Sequence, residues 1–189
     1  MMKRDECLQV LSRHYTDQVV VPAYQAAFEW MVICPSDLTY LTTGAMGQAS
    51  SHALGLALAR PDKAVWVLDG DGSLLMNLGS LVTIASVAPE NFHHFLCHNG
   101  VYEANGSHPI PGQDIVDFPG LARSAGYPHC HRFDDLDDFR SRIGDVLGLD
   151  GPVFIELIVE QGAVYPQDYV QLHSAERRAR FRAAFNPPA

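Results

Sequence analysis

Val65-Trp66-Val67-Leu68-Asp69-Gly70-Asp71-Gly72-Ser73 is the stretch on which the fold turns. Its apolar run is continuous rather than alternating, the pattern of a strand buried on both faces in a parallel sheet. The strand is expected over 64–68. It runs into a glycine-flanked aspartate and then into a helix expected over 73–87. Ligands of open α/β sheets bind at the carboxyl ends of strands, where this reading puts Asp71. Gly70 and Gly72 allow a tight turn and close approach of backbone to a ligand. The helix start offers N–H groups to a phosphate. An aspartate there can hold a hard divalent cation, and magnesium prefers oxygen ligands in octahedral geometry.

The next apolar run, over 92–97, reads as the neighbouring strand and ends at His98-Asn99-Gly100-Val101. Adjacent strands would bring Asn99, 28 residues after Asp71, beside it. The Asn99 amide oxygen is then a second candidate ligand, and a backbone carbonyl of the turn a third. A lone Gly-Asp-Gly is most simply a turn. Its pairing with Asn-Gly at the end of the next strand points to a metal and a phosphate.

Working outward, short apolar runs alternate with amphipathic ones, which predicts an α/β fold with a mostly parallel sheet. Helices are expected over 3–15, 24–32, 48–58, 117–125 and 134–147, and strands over 18–21, 38–42 and 152–159. Residues 99–116, rich in glycine and proline, read as a long loop, and long loops in compact domains are commonly functional. His93 and His94 lie in an apolar strand and read as packing or interface residues rather than zinc ligands. The basic run Glu176-Arg177-Arg178-Ala179-Arg180 reads as a solvated helix.

The chain has 189 residues, 47% of them hydrophobic, enough for one domain over 1–189 with its own core. A formal charge of −9 argues against a nucleic-acid partner, whose phosphates need a basic face. Cys7, Cys34, Cys97 and Cys130 form no Cys-x-x-Cys pair, so neither an iron–sulfur nor a zinc site is expected. No run approaches the roughly 20 apolar residues of a membrane span, and no signal peptide is seen. The expectation is a cytoplasmic enzyme or binding domain without membrane attachment.

The Gly70-Asp71-Gly72 and Asn99 pair, together with Thr43-Gly44-Ala45-Met46-Gly47 upstream, resembles the diphosphate-binding domain of thiamine diphosphate enzymes. That resemblance implies a three-layer α/β/α fold. It implies thiamine diphosphate and Mg²⁺ as cofactors, with Asp71, the Asn99 side chain and the Val101 carbonyl as metal ligands. Gly72 and Ser73 would contact the diphosphate beside Gly70. The Gly44 carbonyl would accept a hydrogen bond from the aminopyrimidine, and Met46 would wedge the cofactor into a bent shape. His98 stands where many members have asparagine.

Within the superfamily the sequence is similar to the sulfopyruvate decarboxylase β subunit and the matching half of phosphonopyruvate decarboxylase. The likeness runs over about 2–160 through Met2-Lys3-Arg4, Gly44-Ala45-Met46-Gly47-Gln48-Ala49-Ser50-Ser51, Asp69 to Gly79 and His98-Asn99-Gly100-Val101-Tyr102. It departs at Pro22-Ala23-Tyr24-Gln25, at Asn105-Gly106-Ser107-His108 and at His52. The implied reaction is non-oxidative decarboxylation of a small 2-oxo acid to an aldehyde and CO₂. Members need a glutamate on a pyrimidine-binding domain; Glu29, Glu90, Glu103 and Glu156 do not have its context. A pyrimidine-binding α subunit is therefore expected as partner in a hetero-oligomer, with diphosphate-binding domains also paired. Tyr102, Glu103 and His108 are weak candidates for substrate contact or proton transfer, and an ordinary loop role is the simpler reading of each. Carboligation, as in acetolactate synthase, and a non-catalytic cofactor-binding subunit are the rival readings. An oxidoreductase β subunit is disfavoured by the missing cysteine pairs.

Overall fold

The computed structural model describes residues 1–41 and 46–187. In chain order its elements begin β1 (Met2–Lys3), α1 (Arg4–Ser12), β2 (Val19–Pro22), α2 (Tyr24–Ile33) and α3 (Ala49–Ala59). Next come β3 (Val65–Gly70), α4 (Asp71–Met76), α5 (Ser80–Val87), β4 (Phe92–His98) and β5 (Val101–Tyr102). A 3₁₀ turn (Glu103–Asn105) leads to β6 (His108–Pro109), α6 (Phe118–Ala125), β7 (His129–Phe133) and α7 (Leu136–Leu147). The chain continues through β8 (Val153–Glu160), α8 (Tyr169–Leu172) and α9 (Ala175–Phe185).

The central sheet is wholly parallel and runs β2-β3-β4-β8. Beyond β8, two strands share one edge end to end. β7 pairs with Val153 to Leu157, and β1 with Val159 and Glu160. Alternation along the strands sends side chains to two cores. Val19, Val21, Val65, Val67 and Leu96 face α3, α5, α6 and α9. Val20, Trp66, Leu68, Phe95 and Ile155 face α1, α2 and α7. The result is the three-layer α/β/α arrangement expected from the sequence.

Several elements differ from the sequence reading. The helix expected over 73–87 is two helices, α4 and α5, and α4 already starts at Asp71. The break has a cause: the Asn77 side chain turns away from the helix and donates to the Gly47 carbonyl at 2.8 Å. The strand expected over 38–42 contributes a single parallel bridge between Thr39 and Val20 among the described residues. The helix expected over 3–15 is α1: Lys3 is drawn into the sheet at one end, and the helix stops at Ser12 at the other. β7 was not expected, since His129-Cys130-His131-Arg132 is polar and lacks the apolar run of its neighbours. The loop of 99–116 contains the antiparallel β5–β6 pair. His93 and His94 are packing residues, both buried in β4. No helix among the described residues is long and apolar enough to cross a membrane.

Candidate functional site

At the carboxyl end of β3 and β4 lies a cleft with a cavity volume of about 60 Å³. Met46, Gly70, Asp71, Gly72, Ser73, Asn99 and Val101 all line it. Seven of the eight residues singled out in the sequence therefore share one cavity. The eighth, Gly44, lies outside the described residues. Parallel pairing explains the convergence: β3 and β4 run in register from Val65–Phe92 to Gly70–Cys97, so the turns after them emerge side by side.

Asp71 is held by three backbone N–H groups. Its Oδ2 accepts from the N–H of Asn99 at 3.0 Å and of Gly100 at 2.6 Å. Gly100 reaches it with φ +78°, a conformation that favours glycine. Asp71 Oδ1 accepts from the Gly72 N–H at 2.7 Å. That N–H, expected to face a phosphate, is thus turned to the aspartate. Burial pushes the Asp71 carboxyl above its ordinary value, opposed by the bonds from Gly100 and Gly72. The Asn99 Oδ1 accepts from the Val101 N–H at 3.0 Å and keeps a second lone pair for a cation.

The upstream segment is tied to the same place. Gly47 N–H donates to Ser73 Oγ at 3.0 Å, while Asn77 Nδ2 holds the Gly47 carbonyl. Gly47 has φ +81°, and a Cβ there would sit 3.1 Å from Cβ of Met76. Thus the loop carrying Met46 is pinned to α4, which carries Ser73. Neither Gly47 nor Asn77 was assigned a role from the sequence; Asn77, four residues after Ser73, has no distinctive spacing.

Tyr102 and Glu103 also line the cleft, whereas His52 and His108 do not. His52 is an exposed residue of α3 with its ring edge-on to Tyr40. His108 is exposed on β6. The Tyr102 ring lies against Gly72, with two ring carbons 2.5 Å from where a Cβ would stand. Beneath the cleft, His98 Nδ1 meets Glu156 Oε1 at 2.8 Å and its Nε2 lies 3.9 Å from Asp71 Oδ2.

A buried ion cluster closes one wall and was missed in the sequence. Arg4 bonds Glu29 through Nε (2.9 Å) and Nη2 (2.6 Å), and Glu103 through Nη1 (2.5 Å). Burial works against the Arg4 charge, but the bonds to Glu29 and Glu103 outweigh it and raise its pKa. Among the described residues lining the cleft, one arginine faces three carboxylates, Asp69, Asp71 and Glu103. Among the described residues no three His, Cys, Asp or Glu side chains come together to hold a metal by themselves. The excess negative charge and hard oxygen donors of the lining suit a hard divalent cation such as Mg²⁺ whose other ligands come from backbone, water or a bound diphosphate.

Residues 23–157 match the family model for the thiamine pyrophosphate enzyme C-terminal TPP-binding domain. The chain is 36% identical over 172 residues to phosphonopyruvate decarboxylase of Streptomyces viridochromogenes, covering 90% of this chain but 43% of that one. It is 36% identical over 163 residues to the sulfopyruvate decarboxylase β subunit of Methanothermobacter thermautotrophicus, covering 86% and 84%. In fold it matches a chain from Mycobacterium smegmatis named for thiamin diphosphate dependence, with TM-score 0.70 at 20% identity over 86% of this chain and 32% of that one.

Proposed function

We propose, from the premise that this chain belongs to the thiamine pyrophosphate enzyme family through its C-terminal cofactor-binding domain, that it is the diphosphate-binding subunit of a Mg²⁺-dependent 2-oxo acid decarboxylase. The observation that carries this reading is the convergence of Asp71, Asn99 and Val101 on one cleft with net negative lining. Asp71 and the Asn99 oxygen would hold Mg²⁺ together with the Val101 carbonyl. Gly70, Gly72 and Ser73 would let the diphosphate approach the backbone. Gly44 and Met46 would hold the pyrimidine end. When bound, thiamine diphosphate supplies the electron sink that lets a 2-oxo acid lose CO₂. This chain's part is to fix the cofactor and exclude water around it.

The relatives named for phosphonopyruvate and sulfopyruvate support a three-carbon 2-oxo acid with a second strong anion as substrate. The β-subunit name of the second supports a partner chain, here a pyrimidine-binding α subunit carrying the activating glutamate. Pairing of two diphosphate-binding domains in the complex is part of the same reading.

The test is co-expression with a pyrimidine-binding chain, followed by CO₂ release from sulfopyruvate, phosphonopyruvate and pyruvate with thiamine diphosphate and Mg²⁺. Turnover of one of the anionic substrates is expected. Asp71→Ala should abolish metal-dependent cofactor binding. Acetolactate as the product from pyruvate would favour carboligation. Silence on every substrate, with no cofactor bound, would overturn the reading.

A further inference from the structure

A metal needs the oxygen end of the Asn99 amide, and an amide presents nitrogen and oxygen on nearly the same outline. Something must therefore decide which end faces the cation. Two contacts do so. Asn99 Nδ2 donates to Glu103 Oε2 at 3.1 Å, and Asn99 Oδ1 accepts from the Val101 N–H at 3.0 Å. An ionised carboxylate only accepts, so Glu103 selects the nitrogen end.

Glu103 is itself held. Arg4 reaches it from Nη1 and Nη2, and the other edge of the same guanidinium grips Glu29. Arg4 and Glu29 are 4% and 3% exposed, so the pair is desolvated and fixed in place. The series Glu29–Arg4–Glu103–Asn99 joins α2, the first residue of α1, the 3₁₀ turn and the loop after β4. Both edges of the Arg4 fork are occupied by carboxylates, which leaves it poorly placed to receive an anionic substrate.

We propose that Glu103, anchored by Arg4 and Glu29, is a positioning residue that turns the Asn99 amide oxygen toward the metal and so sets the metal affinity of the site. This rests on the Mg²⁺ reading of the cleft. Partners that orient a metal ligand without touching the metal contribute about 10–100-fold to affinity.

The experiment uses the complex with its partner chain and thiamine diphosphate, and measures Mn²⁺ affinity from the free-ion resonance signal. Glu103→Ala should weaken Mn²⁺ binding about tenfold or more, measured at a temperature where the metal-free variant is still folded. Glu103→Gln should recover most of the loss, because its amide oxygen can still accept from Asn99. A second pair of variants removes dependence on any one side chain. Asn99→Asp has oxygen at both positions and needs no orientation. Glu103→Ala should therefore weaken Mn²⁺ binding much less in the Asn99→Asp background than in the wild type. Wild-type affinity in Glu103→Ala, or an equal loss in both backgrounds, overturns the positioning role while leaving the Mg²⁺ reading intact. Failure of the wild-type complex to bind Mn²⁺ with the cofactor overturns both.

Discussion

Gly72 has no room for a side chain: ring carbons of Tyr102 stand 2.5 Å from where its Cβ would be. Gly72→Ala is expected to destabilise by roughly 1–3 kcal/mol through overpacking, measured by urea unfolding. In a Tyr102→Ala background the same change should cost much less, because its obstacle is gone; equal costs would show that the ring is not the obstacle. A second prediction concerns His93. Burial pulls its pKa from 6.5 down to about 4. Between those values the unfolded chain binds more protons than the native one, so stability rises with pH across the window and is lost as pH falls through it. The loss is on the order of 3 kcal/mol. His93→Leu should flatten that part of the acid limb in unfolding curves taken from pH 7 to pH 4. At this scale the sequence was legible where chemistry fixes a short spacing, as for Asp71 and Asn99. Arg4 and Glu103 are 99 residues apart, and nothing local in either segment marks the other as its partner.

Elements were legible in proportion to how much apolar side chain they bury. β3, β4 and β8 sit in the middle of the sheet and are apolar on both faces, so their positions could be read directly. β7 lies at an edge and carries polar residues, and β1 has two residues; neither has a pattern long enough to read. The divided helix at α4 and α5 depends on the Asn77 bond to Gly47, a tertiary contact that overrides local helix preference. Asn91 shows the same kind of control at a helix end. Its Nδ2 lies 3.2, 3.0 and 2.7 Å from the carbonyls of Ala57, Arg60 and Lys63, tying the end of α3 to the approach into β3. Asn91→Ala would strip these carbonyls of their donor and should cost about 1–3 kcal/mol. Urea unfolding measures it, and a change below the error of the method would refute the capping role.

For the molecule as a whole, the proposed function gives the cleft the diphosphate end of a cofactor, through Asp71, Asn99 and Val101, and only one side of its pyrimidine end, through Met46. The activating glutamate proposed for the partner would engage that end too. Thiamine diphosphate should therefore bind this chain alone at least about tenfold more weakly than the complex, since each 1.4 kcal/mol of lost contact is a factor of ten. Titration calorimetry with and without the pyrimidine-binding chain measures the difference, and equal affinities would count against a shared site. The parallel α/β arrangement was legible because alternating apolar and amphipathic segments permit few other packings. Sharing of one β8 edge by β1 and β7 was not, because it joins residues from opposite ends of the sequence.

That shared edge also bears on the order in which the molecule is completed. β1 pairs Met2 with Val159, so the strand that delivers Arg4 to the cleft cannot be seated until β8 has been made. Closing so long a loop is among the slower steps of a folding reaction. On the ribosome, Arg4, Glu29, Asp71, Asn99 and Glu103 would all have emerged before β8, the strand that seats Arg4 beside the others. Under the Mg²⁺ reading, competence for the metal would then be a late property of the chain, acquired when β1 meets β8.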